Sequence, residues 1–327
     1  MKKARIIGTG SYLPERVLTN AHLEEMVETS DEWIFTRTGM KERRLAAKNE
    51  CTSDMGAKAA QKAIDQAGIK PEEIDLVLVA TLSPDYVFPS TACIIESKLG
   101  LANAAAVDLQ AACTGFIYAL SMAKSYIESG LYQNILVVAS DKLSSIVDYE
   151  DRTTCVLFGD GAGACVVSSE GKGLLLNEAV LGCDGSQTDI LIQPGGGSKH
   201  PASKETIENK MHFIKMGGKE VFKHAVRRME SSSRECIEKA GLKEEDISWL
   251  IPHQANIRII DAIAKRFHVA PERVFVTVDR YGNTSASTVA IALDELLDEK
   301  PISSGDNILL TAFGAGLTWG SMVLCHE

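Results

Sequence analysis

One of the eight cysteines in this 327-residue sequence lies where its thiol could act as a nucleophile. Cys113 follows two alanines and comes just before an apolar helical pattern, Phe116-Ile-Tyr-Ala-Leu120. Backbone amides at a helix N-terminus stabilise a thiolate and can also hold a tetrahedral oxyanion. We therefore expect Cys113 to have a lowered pKa and to be a catalytic nucleophile. The other seven cysteines lack this setting and are interpreted as reduced thiols.

A histidine and an asparagine occupy similar turns in the second half of the sequence. His253 comes directly after the strand-like run Trp249-Leu-Ile251, and Asn283 lies in Gly282-Asn-Thr-Ser285, just before a helical pattern. Taken one at a time, such residues more often cap or hydrogen-bond the backbone. Together with Cys113 they form a Cys/His/Asn set, which is used both for acyl transfer and for hydrolysis. The residue types alone leave these two chemistries open.

The elements that must position these residues are those of an α/β protein. Three apolar, β-branched runs alternate with helical patterns: Leu76–Val79, Ile135–Ala139 and Ile308–Ala312. Continuous apolar strands of this kind are typical of a sheet that is covered on both faces. Ligands of such sheets bind beyond the carboxyl ends of the strands. We expect the reactive groups at strand ends or helix starts.

An internal repeat indicates how the chain is organised. Two pairs of segments match at the same offset of 173 residues: Gln66–Asp75 with Lys239–Ser248, and Asn134–Leu136 with Asn307–Leu309. Two separated matches at one offset favour a duplicated α/β unit over chance similarity. We predict one half over residues 1–172, which carries the cysteine, and another over residues 173–327, which carries the histidine and the asparagine. The offset places Cys113 opposite Ala286.

Composition and charge exclude several classes of protein. Hydrophobic residues make up 45% and charged residues 24% of the chain, which is typical of a folded globular protein. The net charge of −10 argues against a nucleic-acid partner. The sequence lacks a secretory pattern, and glycines and threonines divide the uncharged stretch 307–325 into two strand-sized pieces. We expect a cytoplasmic protein without a membrane span.

Sequence patterns for a bound cofactor are weak. The cysteines include no C-x-x-C pair and no histidine at zinc-finger spacing, so we expect no metal. Gly8-Thr-Gly10 has Leu13 where a dinucleotide fingerprint needs a third glycine, which argues against a nucleotide redox cofactor. Gly159–Gly163 and Pro194–Gly197 lack the lysine of a phosphate-binding loop. These glycine-rich segments are interpreted as tight turns and close chain packing.

Motifs along the whole chain point to one family. They are Asp31–Ile34, Thr36–Gly39, Phe88–Cys93, Ala111–Cys113, Leu157–Gly163, His253–Asn256, Tyr281–Ser285 and Thr318–Gly320. With these motifs in this order, the sequence resembles the β-ketoacyl-acyl-carrier-protein synthase III family of the thiolase fold. The resemblance implies duplicated α/β halves related by a pseudo-twofold axis, with layers in the order α-β-α-β-α.

The resemblance also implies a reaction. Cys113 would take an acyl group from acetyl-coenzyme A or another short acyl-coenzyme A. Malonyl-acyl carrier protein would then lose CO2 and attack the acyl-cysteine, giving 3-ketoacyl-acyl carrier protein and initiating type II fatty acid synthesis. His253 and Asn283 would donate hydrogen bonds to the thioester oxygen. The gate and oxyanion positions implied by the family are Ala315, Phe222 and Phe313.

Further residues match the family's binding positions. Those implied for coenzyme A are Trp33, Arg37, Thr29, Arg152, Asn256 and Gly218. Trp33 and Arg152 would hold the adenine between an indole and a guanidinium plane. Those implied for the acyl pocket are Phe88, Leu143, Phe158 and Leu191. Phe88 would reach the pocket of a partner subunit, which implies a homodimer.

A cluster of basic residues is a second candidate binding surface. Lys215, Lys219, Lys223 and Arg227 recur every four residues, so a helix would present them as one stripe. The carrier proteins of the implied pathway are acidic, and we expect the stripe to dock them together with Arg258, Lys265 and Arg266. A solvated helix face is the alternative interpretation.

Two departures and three alternative functions accompany the resemblance. Ala315 replaces a family glycine in Phe313-Gly-Ala-Gly-Leu317, and alanine tolerates a positive φ poorly. Lys219 stands where asparagine or arginine is usual. The alternatives are a Cys/His/Asn acyl-thioester hydrolase, a thiolase-fold acyltransferase of secondary metabolism, and a non-catalytic acyl-coenzyme A-binding homologue. The length and branching of the starter acyl group are left open, because one methylene is worth only ~1–3 kcal/mol in a pocket.

Overall fold

Thirteen strands lie within residues 2–327, the part of the chain that the computed structural model describes. They are β1 (Arg5–Tyr12), β2 (Arg16–Thr19), β3 (Glu42–Leu45), β4 (Leu76–Ala80), β5 (Ala105–Leu109), β6 (Asn134–Lys142), β7 (Asp160–Ser168), β8 (Leu174–Cys183), β9 (Leu191–Ile192), β10 (Lys215–Met216), β11 (Ile247–Pro252), β12 (Asn307–Gly314) and β13 (Thr318–His326).

Helices alternate with these strands, which confirms the predicted α/β class. They are α1 (Asn20–Glu24), α2 (Asp31–Thr38), α3 (Thr52–Ala67), α4 (Thr91–Leu99), α5 (Gly115–Ser129), α6 (Arg152–Cys155), α7 (Lys204–Glu208), α8 (Gly218–Lys239), α9 (Ile257–Arg266), α10 (Val278–Tyr281) and α11 (Ser287–Glu299). A short 3₁₀ turn, Ala112–Thr114, immediately precedes α5.

Nine of the strands form one continuous mixed sheet in the order β11-β12-β13-β8-β1-β7-β6-β4-β5. Strands β1 and β8 join the two sides of this sheet through only two residue pairs, Arg5 with Leu175 and Ile6 with Leu174. On one side β4 lies parallel to β6, and on the other β11 lies parallel to β12. These are the strands that the sequence repeat relates. The predicted division after residue 172 lies in the connection that precedes β8.

The side chains of the sheet alternate between two apolar cores. In β4, Leu76, Leu78 and Ala80 face a central core, whereas Val77 and Val79 face an outer one. Helices α5 and α11 fill the central core, between the two sides of the sheet. Helices α3 and α4 cover the outer face of the first side, and α8 and α9 cover that of the second. The five layers therefore follow from strands that bury both faces.

Glycine allows the central helix α11 to lie close to the sheet. A Cβ atom at Gly163 of β7 would lie 2.5 Å from the Ala290 Cβ of α11, so a side chain does not fit there. The prediction of close chain packing at Gly159–Gly163 agrees with this contact. The accompanying prediction of a tight turn is wrong, because residues from Asp160 onward continue as β7.

The uncharged C-terminal stretch forms β12 and β13, as its glycines and threonines predict. Within residues 2–327, none of the helices combines the length and the apolar character needed to cross a bilayer. The described residues also contain no group of three or more His, Cys, Asp or Glu side chains placed to hold a metal ion.

Candidate active site

The three predicted catalytic residues meet where two cavities join. Cys113 lies in the 3₁₀ turn before α5, His253 follows β11, and Asn283 precedes α11. All three are buried and line a narrow cavity of about 150 Å³. Cys113 also lines a wider cavity of about 1030 Å³. The thiol therefore lies at the junction, where a group held in one cavity can react with a group held in the other.

The turn that carries Cys113 has an uncommon backbone. Ala112 has a φ of 47°, in the left-handed region that side chains other than glycine rarely adopt. The end of β12 approaches closely, since a Cβ atom at Gly314 would lie 2.8 Å from the Cys113 amide nitrogen. The Thr318 hydroxyl donates to the Ala111 carbonyl oxygen at 2.9 Å and fastens the turn to β13.

Ala315 lies beside this turn and lines the wide cavity. Its backbone is outside the left-handed region, and the positive φ of this segment, 133°, belongs to Gly316. The expected strain at Ala315 is therefore absent from the described structure. An alanine fits this position because its neighbour supplies the unusual conformation.

The pKa of Cys113 departs from the expectation drawn from its place at a helix start. Burial raises the pKa of the Cys113 thiol to about 12, although the nearby Ser285 hydroxyl favours the thiolate. The prediction of a lowered pKa is therefore wrong for the free enzyme. Loss of hydration on burial is the largest cause of this rise, because it disfavours the charged thiolate. Cys113 is a neutral thiol at ordinary pH, so its proton needs an acceptor when the sulfur reacts.

His253 has a neutral imidazole, and both its backbone and its side chain make hydrogen-bond contacts. Burial lowers its pKa to about 3, because the charged form would lose its hydration. The His253 amide donates to the Thr311 carbonyl oxygen at 2.8 Å, which anchors the residue to β12. Its Nδ1 atom lies 2.6 Å from the Thr288 hydroxyl oxygen. Nε2 is therefore the ring nitrogen left for the cavity that His253 shares with Cys113.

The side-chain amide of Asn283 has a fixed orientation. Its Oδ1 atom accepts a hydrogen bond from the Ser285 amide at 2.8 Å, which leaves Nδ2 as the donor for the cavity. The Asn283 backbone is held as well, because its N–H donates to the Leu157 carbonyl oxygen and its own carbonyl accepts from Gly159. Asn283 can therefore donate to an oxygen that gains negative charge.

The predicted gate residues lie on the walls of the narrow cavity. Phe313 is buried in this wall. Phe222 lines the same cavity, with 39% of its surface exposed. Gly218 and Asn256, which the family resemblance assigns to coenzyme A, line this cavity too. The structure thus brings the gate positions and two coenzyme A positions to the catalytic residues.

The remaining coenzyme A positions lie around Trp33 on α2. The guanidinium carbons of Arg37 and Arg152 lie 4.6 and 4.9 Å from the indole centroid. Arg152 also donates to the Glu28 carbonyl oxygen at 2.7 Å. A separation of 4.9 Å leaves no room for a base, so Arg152 would have to move for adenine to lie between it and Trp33. The Thr29 hydroxyl is buried without a hydrogen-bond partner among the described residues.

Three of the four predicted acyl-pocket residues line the wide cavity: Leu143, Phe158 and Leu191. Phe88 does not line the cavity of its own chain and is 85% exposed. Its neighbours Tyr86 and Val87 do line that cavity, at the mouth formed by the loop before α4.

Comparison with known proteins identifies the family of this chain. Residues 107–185 match the family model described as 3-oxoacyl-[acyl-carrier-protein (ACP)] synthase III, and residues 237–325 match its C-terminal counterpart. The β-ketoacyl-[acyl-carrier-protein] synthase III of Chlamydia muridarum is 60% identical over 323 residues, covering 98% of this chain and 99% of that protein. The chain belongs to the β-ketoacyl-acyl-carrier-protein synthase III family. The family predicted from the motifs is thereby confirmed.

Solved structures of synthase III proteins have the same fold. The 3-oxoacyl-[acyl-carrier-protein] synthase III of Aquifex aeolicus is 49% identical with a TM-score of 0.90, covering 98% of this chain and 99% of its own. The Thermus thermophilus synthase III is 46% identical with a TM-score of 0.91, covering 99% of each chain. These likenesses confirm the predicted thiolase fold.

The predicted basic stripe of this synthase III chain is only partly helical. Lys215 lies in β10, whereas α8 begins only at Gly218. Lys219, Lys223 and Arg227 lie exposed on α8, although Lys223 forms an ion pair with Glu220 at 3.7 Å.

The other predicted docking residues lie on α9. Arg258 and Lys265 are exposed and form no ion pair with the described residues, whereas Arg266 is paired with Glu230 of α8. The sequence predicted one helical stripe of Lys215, Lys219, Lys223 and Arg227. That prediction is wrong, because Lys215 lies outside α8. The basic groups lie instead on β10, α8 and α9.

Sequence reasoning missed a buried carboxylate next to the synthase III nucleophile. Asp141 is completely buried, and its Oδ1 atom accepts hydrogen bonds from Thr81, Leu82 and Ser83. Its Oδ2 atom and the Ser285 hydroxyl are both buried without a partner. Burial raises the pKa of Asp141. A polar residue at the carboxyl end of the apolar strand β6 was the available signal.

A buried arginine supports the Asn283 loop and was also missed. Arg43 is completely buried; its Nε and Nη2 atoms donate to the Val156 carbonyl oxygen, and Nη1 donates to Asn20. Burial lowers the pKa of Arg43 to about 10. The segment it holds continues into Leu157, whose carbonyl accepts from the Asn283 amide. A charged residue in a short strand gives no sequence signal of such burial.

Proposed function

We propose that this chain condenses a short acyl-coenzyme A with malonyl-acyl carrier protein, releasing CO2 and coenzyme A and forming 3-ketoacyl-acyl carrier protein. This reaction initiates type II fatty acid synthesis. The observation that carries the proposal is the narrow cavity where Cys113, His253 and Asn283 meet between apolar walls. The names of the relatives at 50–60% identity agree with this activity.

The first stage is transfer of the acyl group to Cys113. The sulfur forms a bond to the acyl carbonyl carbon, and the bond from that carbon to the coenzyme A sulfur breaks. The amides of Cys113 and Ala315 are proposed donors to the oxyanion that forms between these two events. The wide cavity would hold the acyl chain, and the narrow cavity the arm of coenzyme A.

The second stage is decarboxylation of the malonyl group in the narrow cavity. Among the described residues, the side chains that line this cavity carry no Asp, Glu, Lys or Arg. An apolar site favours loss of a carboxylate as neutral CO2. The Asn283 amide donates to the thioester oxygen as the enolate forms. The carbanion then attacks the acyl-cysteine.

The hydrolase alternative is not favoured. A hydrolase must admit water to the acyl-cysteine, whereas Phe222 and Phe313 surround this cavity with aromatic surface. An acyltransferase of secondary metabolism would share the mechanism and differ in its acceptor. The experiment below separates the condensing enzyme from the hydrolase.

The experiment is intact-mass analysis of the purified chain with acetyl-coenzyme A, followed by malonyl-acyl carrier protein. The expected result is an acetyl adduct that malonyl-acyl carrier protein discharges, with acetoacetyl-acyl carrier protein as the product. An adduct that water discharges to acetate would establish the hydrolase instead. An adduct that forms only with longer or branched acyl groups would keep the mechanism and change the starter.

We expect Trp33→Ala to weaken use of acyl-coenzyme A. Stacking of a base on an indole is worth ~1–3 kcal/mol, so the KM for acyl-coenzyme A should rise about tenfold with little change in kcat. Initial rates at varied acyl-coenzyme A measure this. Phe35→Ala on the same helix is the matched control, since Phe35 is an exposed aromatic that Lys41 covers. An equal rise in KM for both variants would contradict the stacking role.

We propose that the exposed basic residues of α8 and α9 dock the acidic carrier protein. Arg258 is the sharpest test because it is exposed and unpaired among the described residues. Arg258→Glu should raise the KM for malonyl-acyl carrier protein about tenfold at low salt, and less at high salt. Lys172→Glu, on an exposed turn before β8, is the matched charge reversal. Loss of carrier-protein binding in both variants would exclude a specific docking surface.

A homodimer is proposed from the loop that precedes α4. Tyr86, Val87 and Phe88 are 62%, 91% and 85% exposed, which is unusual for three consecutive apolar residues. A second copy of the chain would cover them. The cytoplasmic location and the absence of a metal or redox cofactor stay predictions.

A further inference from the structure

The Thr318 hydroxyl, at the start of β13, contacts three polar groups beside the nucleophile. Its oxygen lies 2.9 Å from the Ala111 carbonyl oxygen, 3.1 Å from the Ala315 carbonyl oxygen and 3.0 Å from the Thr114 hydroxyl oxygen. Two of these distances are typical of hydrogen bonds between oxygens, and the distance to Ala315 is slightly longer. One hydroxyl therefore joins the turn that carries Cys113 to the segment that follows β12.

The number of protons decides the direction of these bonds. A hydroxyl carries one proton, and a backbone carbonyl oxygen can only accept. Thr318 therefore directs its proton at the two carbonyl oxygens, with the shorter bond to Ala111. The Thr114 hydroxyl is then the donor in its contact with Thr318. A proton shared in this way holds together two carbonyl oxygens whose partial negative charges repel each other.

The two carbonyl groups belong to the segments that carry the proposed oxyanion donors. Ala111 lies two residues before Cys113, whose amide is one donor, and the amide of Ala315 is the other. The segments touch, because a Cβ atom at Gly314 would lie 2.8 Å from the Cys113 nitrogen and 3.1 Å from Thr318 Oγ1. The hydroxyl thus lies where the separation of the two amides is decided.

The backbone of the Cys113 turn depends on such support. Ala112 has a φ of 47°, a conformation that is unfavourable for residues other than glycine and persists only when surrounding contacts determine it. The preceding carbonyl, that of Ala111, accepts from the Thr318 hydroxyl and from the Thr114 amide at 3.1 Å. Loss of the hydroxyl would leave only the longer bond. The turn could then relax and change the direction of the Cys113 amide.

The other end of the loop is fixed independently of the Thr318 hydroxyl. The Leu317 amide donates to the Asp184 carbonyl oxygen at 3.0 Å, and the Asp184 amide donates to the Leu317 carbonyl oxygen at 2.8 Å. Asp184 also forms an ion pair with Arg228 at 3.4 Å, and the Arg228 guanidinium carbon lies 4.2 Å from the indole centroid of Trp319. Removing the hydroxyl should therefore displace the two amides slightly without unfolding the site.

We propose that Thr318 is a positioning residue that sets the separation of the Cys113 and Ala315 amides, so that both donate to the same oxyanion. This inference rests on the proposed function for the reaction that it serves. Thr318 belongs to a motif that supports the family resemblance, but sequence reasoning gave it no role. Donors stabilise an oxyanion only when they lie at hydrogen-bond distance from it, so a small displacement of one amide slows the reaction.

The oxyanion forms and collapses once in each stage. As the Cys113 sulfur bonds to the acyl carbonyl carbon, an electron pair of the C=O bond moves onto the oxygen, where the two amides stabilise it. The pair returns when the bond to the coenzyme A sulfur breaks, and the Cys113 proton ends on that sulfur. In the second stage the carbanion left by CO2 attacks the same carbon. Cys113 then leaves as a thiolate, which takes a proton from water.

Acylation kinetics test the positioning. Rapid-quench intact-mass analysis at varied acetyl-coenzyme A gives the maximal rate of Cys113 acylation and the half-saturating concentration. Thr318→Val keeps the shape of the side chain without the hydroxyl, so the maximal rate should fall about tenfold with little change in half-saturation. Thr318→Ser keeps the hydroxyl and should acylate within about twofold of the wild type. Thr318→Ala removes the hydroxyl without adding volume and should reproduce Thr318→Val.

Infrared spectroscopy of the acyl-enzyme reports on the amides themselves. Hydrogen bonds to a carbonyl oxygen weaken the C=O bond and lower its stretching frequency. The difference between enzyme acylated with ¹³C-carbonyl acetyl-coenzyme A and with unlabelled acetyl-coenzyme A isolates this band. We expect a higher frequency in Thr318→Val than in the wild type, and the wild-type frequency in Thr318→Ser. A packing defect that left both amides in place would not move the band.

Three outcomes would overturn the inference alone. An unchanged acylation rate or an unchanged carbonyl band in Thr318→Val would remove Thr318 from the oxyanion site. Equal slowing of Thr318→Ser and Thr318→Val would show that the fit of the side chain matters and its hydroxyl does not. A raised half-saturating concentration at an unchanged maximal rate would make Thr318 a binding residue. If the wild type itself takes no acyl group, the proposed function fails and the inference fails with it.

Discussion

Cys113→Ala should take no acyl group from acetyl-coenzyme A, and its condensation rate should fall by more than about a thousandfold. Cys113 is the thiol shared by the two cavities, so no other described cysteine can receive an acyl group held between them. Intact-mass analysis after incubation with acetyl-coenzyme A measures the adduct, and product formation from malonyl-acyl carrier protein measures condensation.

Cys93→Ala is the matched control for this prediction. Cys93 is an exposed thiol on α4, so its loss should leave both the adduct and the turnover intact. An adduct of unchanged stoichiometry in Cys113→Ala would exclude Cys113 as the nucleophile. Peptide mapping of that adduct would then identify the residue that carries the acyl group.

Asn283→Asp should separate the two stages of the reaction. Aspartate keeps the shape of the side chain and can still accept from the Ser285 amide. Its other oxygen then faces the cavity as an acceptor with negative charge, where Asn283 presented a donor. Loss of one donor to a developing oxyanion slows a reaction about 10²–10³-fold. We expect a fall of at least that size in condensation, with a much smaller effect on acylation of Cys113.

The measurement is release of CO2 from malonyl-acyl carrier protein, with the acyl-enzyme followed by intact mass. Asn209→Asp adds the same charge at an exposed position after α7 and should change neither stage. Parallel losses in both stages of Asn283→Asp would argue that Asn283 supports the fold of the site instead of the decarboxylation. Full retention of condensation would remove Asn283 from the mechanism.

The repeat in the sequence predicted a large part of the architecture. The offset of 173 residues relates β4 to β11 and β6 to β12, and it places the start of α5 opposite the start of α11. Sequence patterns reveal such elements because a run of apolar side chains indicates both that a segment is a strand and that its two faces are buried. They do not reveal that β1 and β8 join the two sides into one sheet, because two residue pairs from distant segments leave no local pattern.

The pKa values and the buried charged groups of the site were harder to predict from the sequence. The start of α5 indicated a lowered pKa for Cys113, but the depth of burial decides its direction, and burial arises from packing of distant segments. Arg43 and Asp141 were missed for the same reason. Lys215 was misplaced because its spacing agrees with a helix that begins only at Gly218. Residue types and spacing identify groups that can react, whereas tertiary contacts set their protonation.

The narrow cavity also constrains the order of events. Its volume of about 150 Å³ forms a slender approach to Cys113, lined by His253, Asn283 and Phe313, beside the wide cavity proposed for the acyl chain. The arm of coenzyme A and the arm of the carrier protein would have to follow this approach in turn. On this proposal coenzyme A would depart before the malonyl group arrives, which is double-displacement kinetics without a ternary complex. An excess of either donor would occupy the wrong form of the enzyme, so the ratio of the two donors would govern the rate of chain initiation.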